Sequence, residues 1–359
     1  MKKTLLTICL VWMCFSLSAQ KIIDLSGKWS FSIDRQDNGE KEKWFSHTLN
    51  DCINLPGSMP EKLKGDEVTA KTQWTGSLYD SSYYYNPYME KYRKEGNIKF
   101  PFFLTPDKHY VGAAWYQKEV NIPADWKGER ILLFLERPHI ETTVWVNGQK
   151  TGMQNSLCVP HQYDITRYVR PGKCTITIRV DNRIKEINVG PDSHSITDQT
   201  QGNWNGIVGR ICLQTTPKTY FDDIQIYPEP EQKLARVKVV IKGAGITKIK
   251  LSAESFNTDK KHIVPAIQQE IKLNKGVTET EMVLPMGNDM LLWDEFHPAL
   301  YKLKAEVTNG KKTEIKEIQF GMRRFEIKGK WFYVNGRKTQ LRGTVENCDF
   351  PLTGYAPMD

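Results

Sequence analysis

Beyond residue 19 the sequence has no apolar run long enough to cross a bilayer, so a membrane-spanning helix is not expected. It has no Cys-x-x-Cys and no pair of histidines at ligand spacing, so no zinc or other metal site is expected. It also has no basic run. The formal charge is +8, and Lys2 and Lys3 lie in a segment expected to be removed, which leaves +6 dispersed along the chain. That gives no electrostatic footprint for nucleic acid. Cysteines are few: Cys52, Cys158, Cys174, Cys212 and Cys348 follow the leader. Their odd number and long spacings fit buried thiols in β-cores, and one incidental disulfide stays open. Charged residues, at 26%, are ordinary for a soluble protein.

The chain does have a leader pattern. Lys2-Lys3 is followed by the apolar stretch Leu5 to Leu17 and the small residues of Ser16-Leu17-Ser18-Ala19. This reads as a signal peptide over 1–19 with cleavage before Gln20, and predicts a periplasmic or secreted protein. A lipoprotein would use Cys9 or Cys14, but Ile8 and Met13 precede them where a small residue is wanted. The 359 residues allow two or three domains, and 11% aromatics allow sizeable cores.

The stretch Ile131 to Gly148 organises the rest. Ile131–Leu135 is an apolar run of strand length, broken by Arg137, Pro138 and His139. Thr142–Val146 resumes it with β-branched and aromatic residues and stops at Asn147-Gly148, a hairpin signal because both residues tolerate φ > 0. Trp115–Val120 and Cys174–Val180 alternate with period two, which predicts one buried and one wet face. Leu25–Ile33 reads as a strand with Trp29, Phe31 and Ile33 on one face, and Leu55–Pro60 as a turn. Short strands at this spacing predict a β-sandwich of jelly-roll type.

Trp115-Tyr116, Val144–Gly148, Asp164-Ile165-Thr166 and Gly206-Ile207 with Gly209-Arg210, in that order, resemble the sugar-binding domain of glycoside hydrolase family 2. The family includes β-galactosidases, β-glucuronidases and β-mannosidases. The resemblance implies an all-β chain, with a galactose-binding-like jelly roll over 20–220. An immunoglobulin-like sandwich over 221–321 and the start of a truncated TIM-barrel domain over 322–359 follow. It implies a glycan or oligosaccharide substrate and no cofactor.

Two loops carry candidate function. Trp74 to Tyr110 is a long insertion rich in aromatics, among them Tyr79, Tyr85, Tyr88 and Phe102. Its rings either wall a glycan site or pack the loop onto the domain. Val189 to Arg210 is polar and Gly-rich, and is either a solvated loop held by turn chemistry or a functional one. The equivalent family loop touches the sugar, which implies Asp198, Asn203 and Trp204 as contacts. The chain departs from the family here, with Gly-Ile-Val-Gly-Arg where many members run Gly-Ile-x-Arg.

Further on, Ile224–Tyr227, Arg236–Lys242, Lys248–Ala253 and Met282–Leu284 read as strands, and Asn309-Gly310 as a hairpin turn. The second domain has no Cys…Trp…Cys pattern, so it is immunoglobulin-like only in architecture. Leu292–Tyr301 resembles the family's Trp-x-Pro-x-Leu-Tyr signature. Phe320–Thr344 resembles the opening of its catalytic barrel, with a hairpin at Asn335-Gly336 and a first barrel strand over Gln340–Val345. Glu346, Asn347 and Asp349 would then lie at the carboxyl end of that strand, where barrel sites are built. Asn347 stands where many β-galactosidases have a His. The family's acid/base lies in an Asn-Glu pair, and this sequence contains no Asn-Glu dipeptide. Retention needs two carboxyls about 5 Å apart, and both would lie beyond Asp359. Two readings result: an exported β-glycosidase present as a piece inactive alone, or a freestanding carbohydrate-binding protein. The barrel-like strand favours the first.

Overall fold

Alternation along the strands decides which faces carry the cores. The computed structural model describes residues 21–69, 71–75, 85–98, 106–185 and 202–344. The chain divides after Thr216 into two units, Lys21–Thr216 and Pro217–Leu341. Among the described residues every strand pairing is antiparallel, and no helix is long and apolar enough to cross a membrane.

The first unit holds β1 (Ile22–Asp24), β2 (Gly27–Asp34), β3 (Asp51–Leu55), β4 (Gly57–Ser58), β5 (Asp66–Glu67), β6 (Lys108–His109) and β7 (Ala113–Ile122). It continues with β8 (Arg130–His139), β9 (Glu141–Val146), β10 (Gln149–Asn155), β11 (His161–Asp164), β12 (Gly172–Asp181) and β13 (Gly206–Thr216). One sheet runs β1-β13-β8-β11, with β4 on β13; the other runs β10-β9-β12-β7-β2-β3. Trp29, Phe31, Tyr116, Leu133, Val144, Val146, Ile176, Ile178, Ile211 and Leu213 fill the core between them. Asn147 and Gly148 both have positive φ and close the β9–β10 hairpin. The strand β8 does not break at Pro138. It runs on to His139, because β11 pairs only with Leu132–Leu135 and asks no hydrogen bond of the missing N–H.

The expected wet face is not wet. Thr177, Arg179 and Asp181 on β12 are buried, as are Trp115 and Gln117 on β7 and Trp145 on β9. The segment 35–50 roofs this side. Phe45 stacks on Trp145 at 5.2 Å, Trp145 on Trp115 at 4.9 Å, and Trp44 tilts over Trp115 at 6.1 Å. Gln117 Nε2 donates to the His47 carbonyl. Period-two alternation reports polarity, and a roof of aromatic rings then buries the polar face as well.

The second unit holds β14 (Tyr220–Glu229), β15 (Leu234–Phe256), β16 (Ile263–Pro285), β17 (Leu300–Asn309) and β18 (Lys312–Phe320). The expected strands 236–242 and 248–253 are one strand of 23 residues, shifted in register at Gly243–Gly245, and the expected Met282–Leu284 is the end of β16. Val237, Val239, Leu251, Tyr301, Leu303 and Met322 lie in its core. The β17–β18 turn is Gly310-Lys311, one residue later than expected, since Asn309 pairs with Lys312. A last sheet joins β19 (Phe325–Lys328), β20 (Trp331–Val334) and β21 (Arg337–Thr339), with Asn335-Gly336 closing its second hairpin at positive φ. Gln340–Thr344, expected within a barrel strand, form no strand: none of the described residues supplies a partner ladder. Cys52 and Cys158 are exposed rather than buried, Cys174 and Cys212 are buried, and all four are free.

Candidate functional site

The two sheets of the first unit share one end. There β8 stops at His139, β9 starts at Glu141, β12 stops at Asp181 and β13 starts at Gly206. His139 is paired with Gly206, and Asp181 with both Glu141 and Ala113. Gly206 has a φ of 149°, and a Cβ there would meet the Gly57 carbonyl oxygen at 2.5 Å, so only glycine lets β4 and β13 approach.

Three asparagines hold this end together. Asn205 accepts from the Tyr116 hydroxyl at 2.7 Å and donates to the carbonyls of Gly112 and Val180, both at 3.0 Å. Burial pushes the Tyr116 phenol well above its ordinary pKa, so it stays a donor. Asn182 accepts from Gly112 N–H and donates to the Tyr110 carbonyl. Asn203 Nδ2 donates to the Asn182 carbonyl at 2.9 Å and to Thr75 Oγ1 at 3.0 Å. The Trp204 ring stacks on His139 at 4.6 Å and 17°. His139 Nδ1 lies 2.6 Å from the Trp204 carbonyl, which can only accept, so Nδ1 carries a proton. Beside them Trp74 leans on His109 at 4.7 Å. A polar cleft of about 430 Å³, lined by Arg35, Asp66, Thr72, His109 and Tyr110 among others, opens next to this pair.

A charged network closes the other side. Arg179 reaches Asp37 at 2.6 Å, Asp181 at 2.9 Å and Glu141 at 3.4 Å. Arg183 Nε donates to Asp181 Oδ1 at 2.9 Å, and Lys185 reaches Glu141 at 2.9 Å and Asp181 at 2.8 Å. Three cations thus meet three carboxylates. Burial alone would raise the Asp181 carboxyl, but hydrogen bonds from Arg183 and Lys185 outweigh it and hold the group well below the usual carboxylate range. Asp37 is lowered in the same way, burial opposing and the two arginines prevailing. Asp37 and Asp181 are ionised and paired, so neither is the protonated acid that glycoside cleavage needs.

The site residues named from the sequence fall into two groups. Asn203 and Trp204 come together at the strand ends and are only 2% and 6% exposed. Asp198, Glu346, Asn347 and Asp349 lie outside the described residues, as does Cys348. In the aromatic insertion Trp74 and Tyr110 pack inward, whereas Tyr85 and Tyr88 are exposed; Tyr79 and Phe102 lie outside the described residues. Sequence reasoning missed His139, Asn182, Asn205 and the Arg179 network. A signal was present: Asp181-Asn182-Arg183 follows an alternating strand, and Asn205 directly precedes Gly206. Among the described residues no group of three or more His, Cys, Asp or Glu is arranged to hold a metal ion.

Residues 22–217 match the family model described as glycosyl hydrolases family 2, sugar binding domain. The chain belongs to glycosyl hydrolase family 2. Residues 219–323 match a second model of the family. Among similar family 2 proteins, a β-glucuronidase of Paenibacillus borealis is 23% identical over 93% of this chain and 51% of its own length. Human β-glucuronidase is 23% identical over 92% and 49%. A β-galactosidase of Thermoanaerobacter pseudethanolicus is 25% identical over 73% and 35%. The chain therefore spans about half the length, or less, of the curated relatives it matches. A solved β-glucuronidase from Ruminococcus gnavus, in complex with D-glucuronic acid, aligns with a TM-score of 0.62 at 19% identity. It covers 91% of this chain and 50% of that one, a likeness of fold alone.

Proposed function

We propose that the chain supplies the sugar-binding, non-catalytic half of a retaining β-glycosidase that cleaves O-glycosyl bonds, of glucuronidase or galactosidase type. The observation that carries this is the family match over both units, combined with a network in which Asp37, Glu141 and Asp181 each meet a cation. In this reading 20–220 is a jelly roll and 221–321 an immunoglobulin-like sandwich. The segment from 322 opens a barrel, and Gln340–Thr344 gain their ladder only beside further barrel strands. In this reading Asp198, Asn203 and Trp204 are the sugar contacts of this unit, Asn203 and Trp204 meeting the ligand only through the small part of each that is exposed. Glu346, Asn347 and Asp349 add contacts from the barrel side. The polar cleft beside His109 interleaves donors and acceptors, as a hydroxyl-rich ligand requires. The leader directs export, with Gln20 as the mature N-terminus, which N-terminal sequencing of exported protein checks.

The test is a pair of measurements on the purified chain. Nitrophenyl β-glucuronide and β-galactoside should release no product above a Glu346→Gln, Asp349→Asn control. Calorimetric titration with D-glucuronate and D-galactose should show binding in the millimolar range, about −4 kcal/mol. Turnover that vanishes in the control overturns the non-catalytic reading. No heat with either sugar overturns sugar contact by this unit.

A further inference from the structure

The positive charge, expected above to be dispersed, gathers in one segment outside the proposed sugar contacts of the first unit. Of the formal +8, residues 323–342 carry +6: Arg323, Arg324, Lys328, Lys330, Arg337, Lys338 and Arg342 against Glu326 alone. The register of the last sheet sorts these residues. Phe325 faces Val334 and Arg337 across the strands, while Glu326 faces Tyr333 and Lys338, and Lys328 faces Trp331. One face thus carries Phe325, Ile327, Phe332 and Val334, and the other carries Trp331 and Tyr333 among lysines.

On that second face Trp331 is 43% exposed. Lys338 Nζ lies 3.2 Å from the centre of its ring and Lys330 Nζ lies 5.6 Å from it. The two ammonium groups are therefore within about 9 Å of each other, about one Debye length at physiological salt. The other cations of the sheet have carboxylate partners: Arg324 meets Glu231 and Glu326, Lys328 meets Glu326, and Arg337 meets Glu295. Among the described residues no carboxylate pairs with Lys330 or Lys338. Two like charges gathered on one exposed indole repel, and an anion placed between them removes that cost.

We propose that Trp331, Lys330 and Lys338 form a surface site for an acidic glycan, a polymer bearing carboxylate or sulfate groups on its sugar rings. Lys338 covers one side of the indole, so the apolar face of a pyranose packs on the part of the ring left exposed, and its anionic group lies between the two ammoniums. A single rigid aromatic flanked by two point charges matches one charged sugar unit. A nucleic-acid groove needs a longer basic track along a backbone. The site is independent of the sugar contacts proposed for the first unit.

The full chain is titrated with polygalacturonate, dextran sulfate, neutral dextran and a DNA duplex at low salt. Polygalacturonate or dextran sulfate should bind and neutral dextran should not; which of the two binds more tightly separates carboxylate from sulfate recognition. Lys330→Gln/Lys338→Gln should weaken that binding at least tenfold, and Trp331→Ala should weaken it too. Lys302→Gln/Lys304→Gln removes the same charge from lysines that already face Glu317 and Glu306, and should change it less than twofold. The Lys330/Lys338 pair are surface substitutions that leave the core intact, so their result stands even if Trp331→Ala loosens the sheet. Equal losses in the two lysine pairs, DNA bound as tightly as the acidic glycan, or no binding to either polyanion overturns the proposal.

Discussion

Replacing Arg179 with Met tests whether the charged network holds the end of the first unit or merely decorates it. Arg179 is buried, and Asp181 beneath it is 0% exposed. The substitution keeps an unbranched apolar stem and deletes the guanidinium's contacts to Asp37, Asp181 and Glu141. Removing one partner of a buried ion pair costs about 3–5 kcal/mol. Here Arg183 and Lys185 still reach Asp181, so the lower end, about 3 kcal/mol at pH 7, is expected. With a urea m-value of about 2 kcal/mol/M, the midpoint falls by about 1.5 M. The fluorescence of the Trp115–Trp145 pair, on the same sheet face, reports it. The pH dependence carries the decisive sign. The folded-state pKa values of Asp37 and Asp181 are depressed, so their stabilisation is present above the unfolded value of about 4 and is lost as pH falls through the folded values. Without the guanidinium those folded values rise, and protonation relieves the uncompensated charge. The cost of Arg179→Met should therefore shrink as pH falls below about 5. A loss under about 1 kcal/mol at pH 7, or one of constant size from pH 7 to pH 3, would refute the reasoning.

Asn205→Leu strips two buried carbonyls and the Tyr116 hydroxyl of their partner, and should lower stability by about 3 kcal/mol or more in urea unfolding. Gly206→Ala forces a Cβ against the Gly57 carbonyl at an unfavourable φ; a melting temperature several degrees lower is expected, and an unchanged one would deny the close approach. A thiol reagent at pH 8 should label Cys52 and Cys158 in the native chain. Cys174, buried and pushed up to about 11, and Cys212, raised by burial, should react only on unfolding, as peptide mass mapping would show.

The sequence determined the all-β character, the period-two core faces of β7 and β12, and the hairpins at Asn147-Gly148 and Asn335-Gly336. Alternation and φ > 0 tolerance are local properties, legible wherever the residues stand. The motif order alone pointed to the family, because it samples strand, turn and loop signals together over a hundred residues. The concentration of charge in 323–342 was also present in the sequence, but apolar residues interrupt it. Only the register of β19–β21 gathers Lys330 and Lys338 on Trp331. What tertiary structure alone decided is which polar residues are buried. Arg179, Asp181 and Thr177 alternate like a solvent face, and became interior because segment 35–50 covers them. Asn182, Asn203 and Asn205 look like loop residues and act as ties between strand ends. Those roles depend on partners far away in the chain, such as Asp37, Thr75 and Gly112, and no local pattern encodes which distant group completes a buried hydrogen bond.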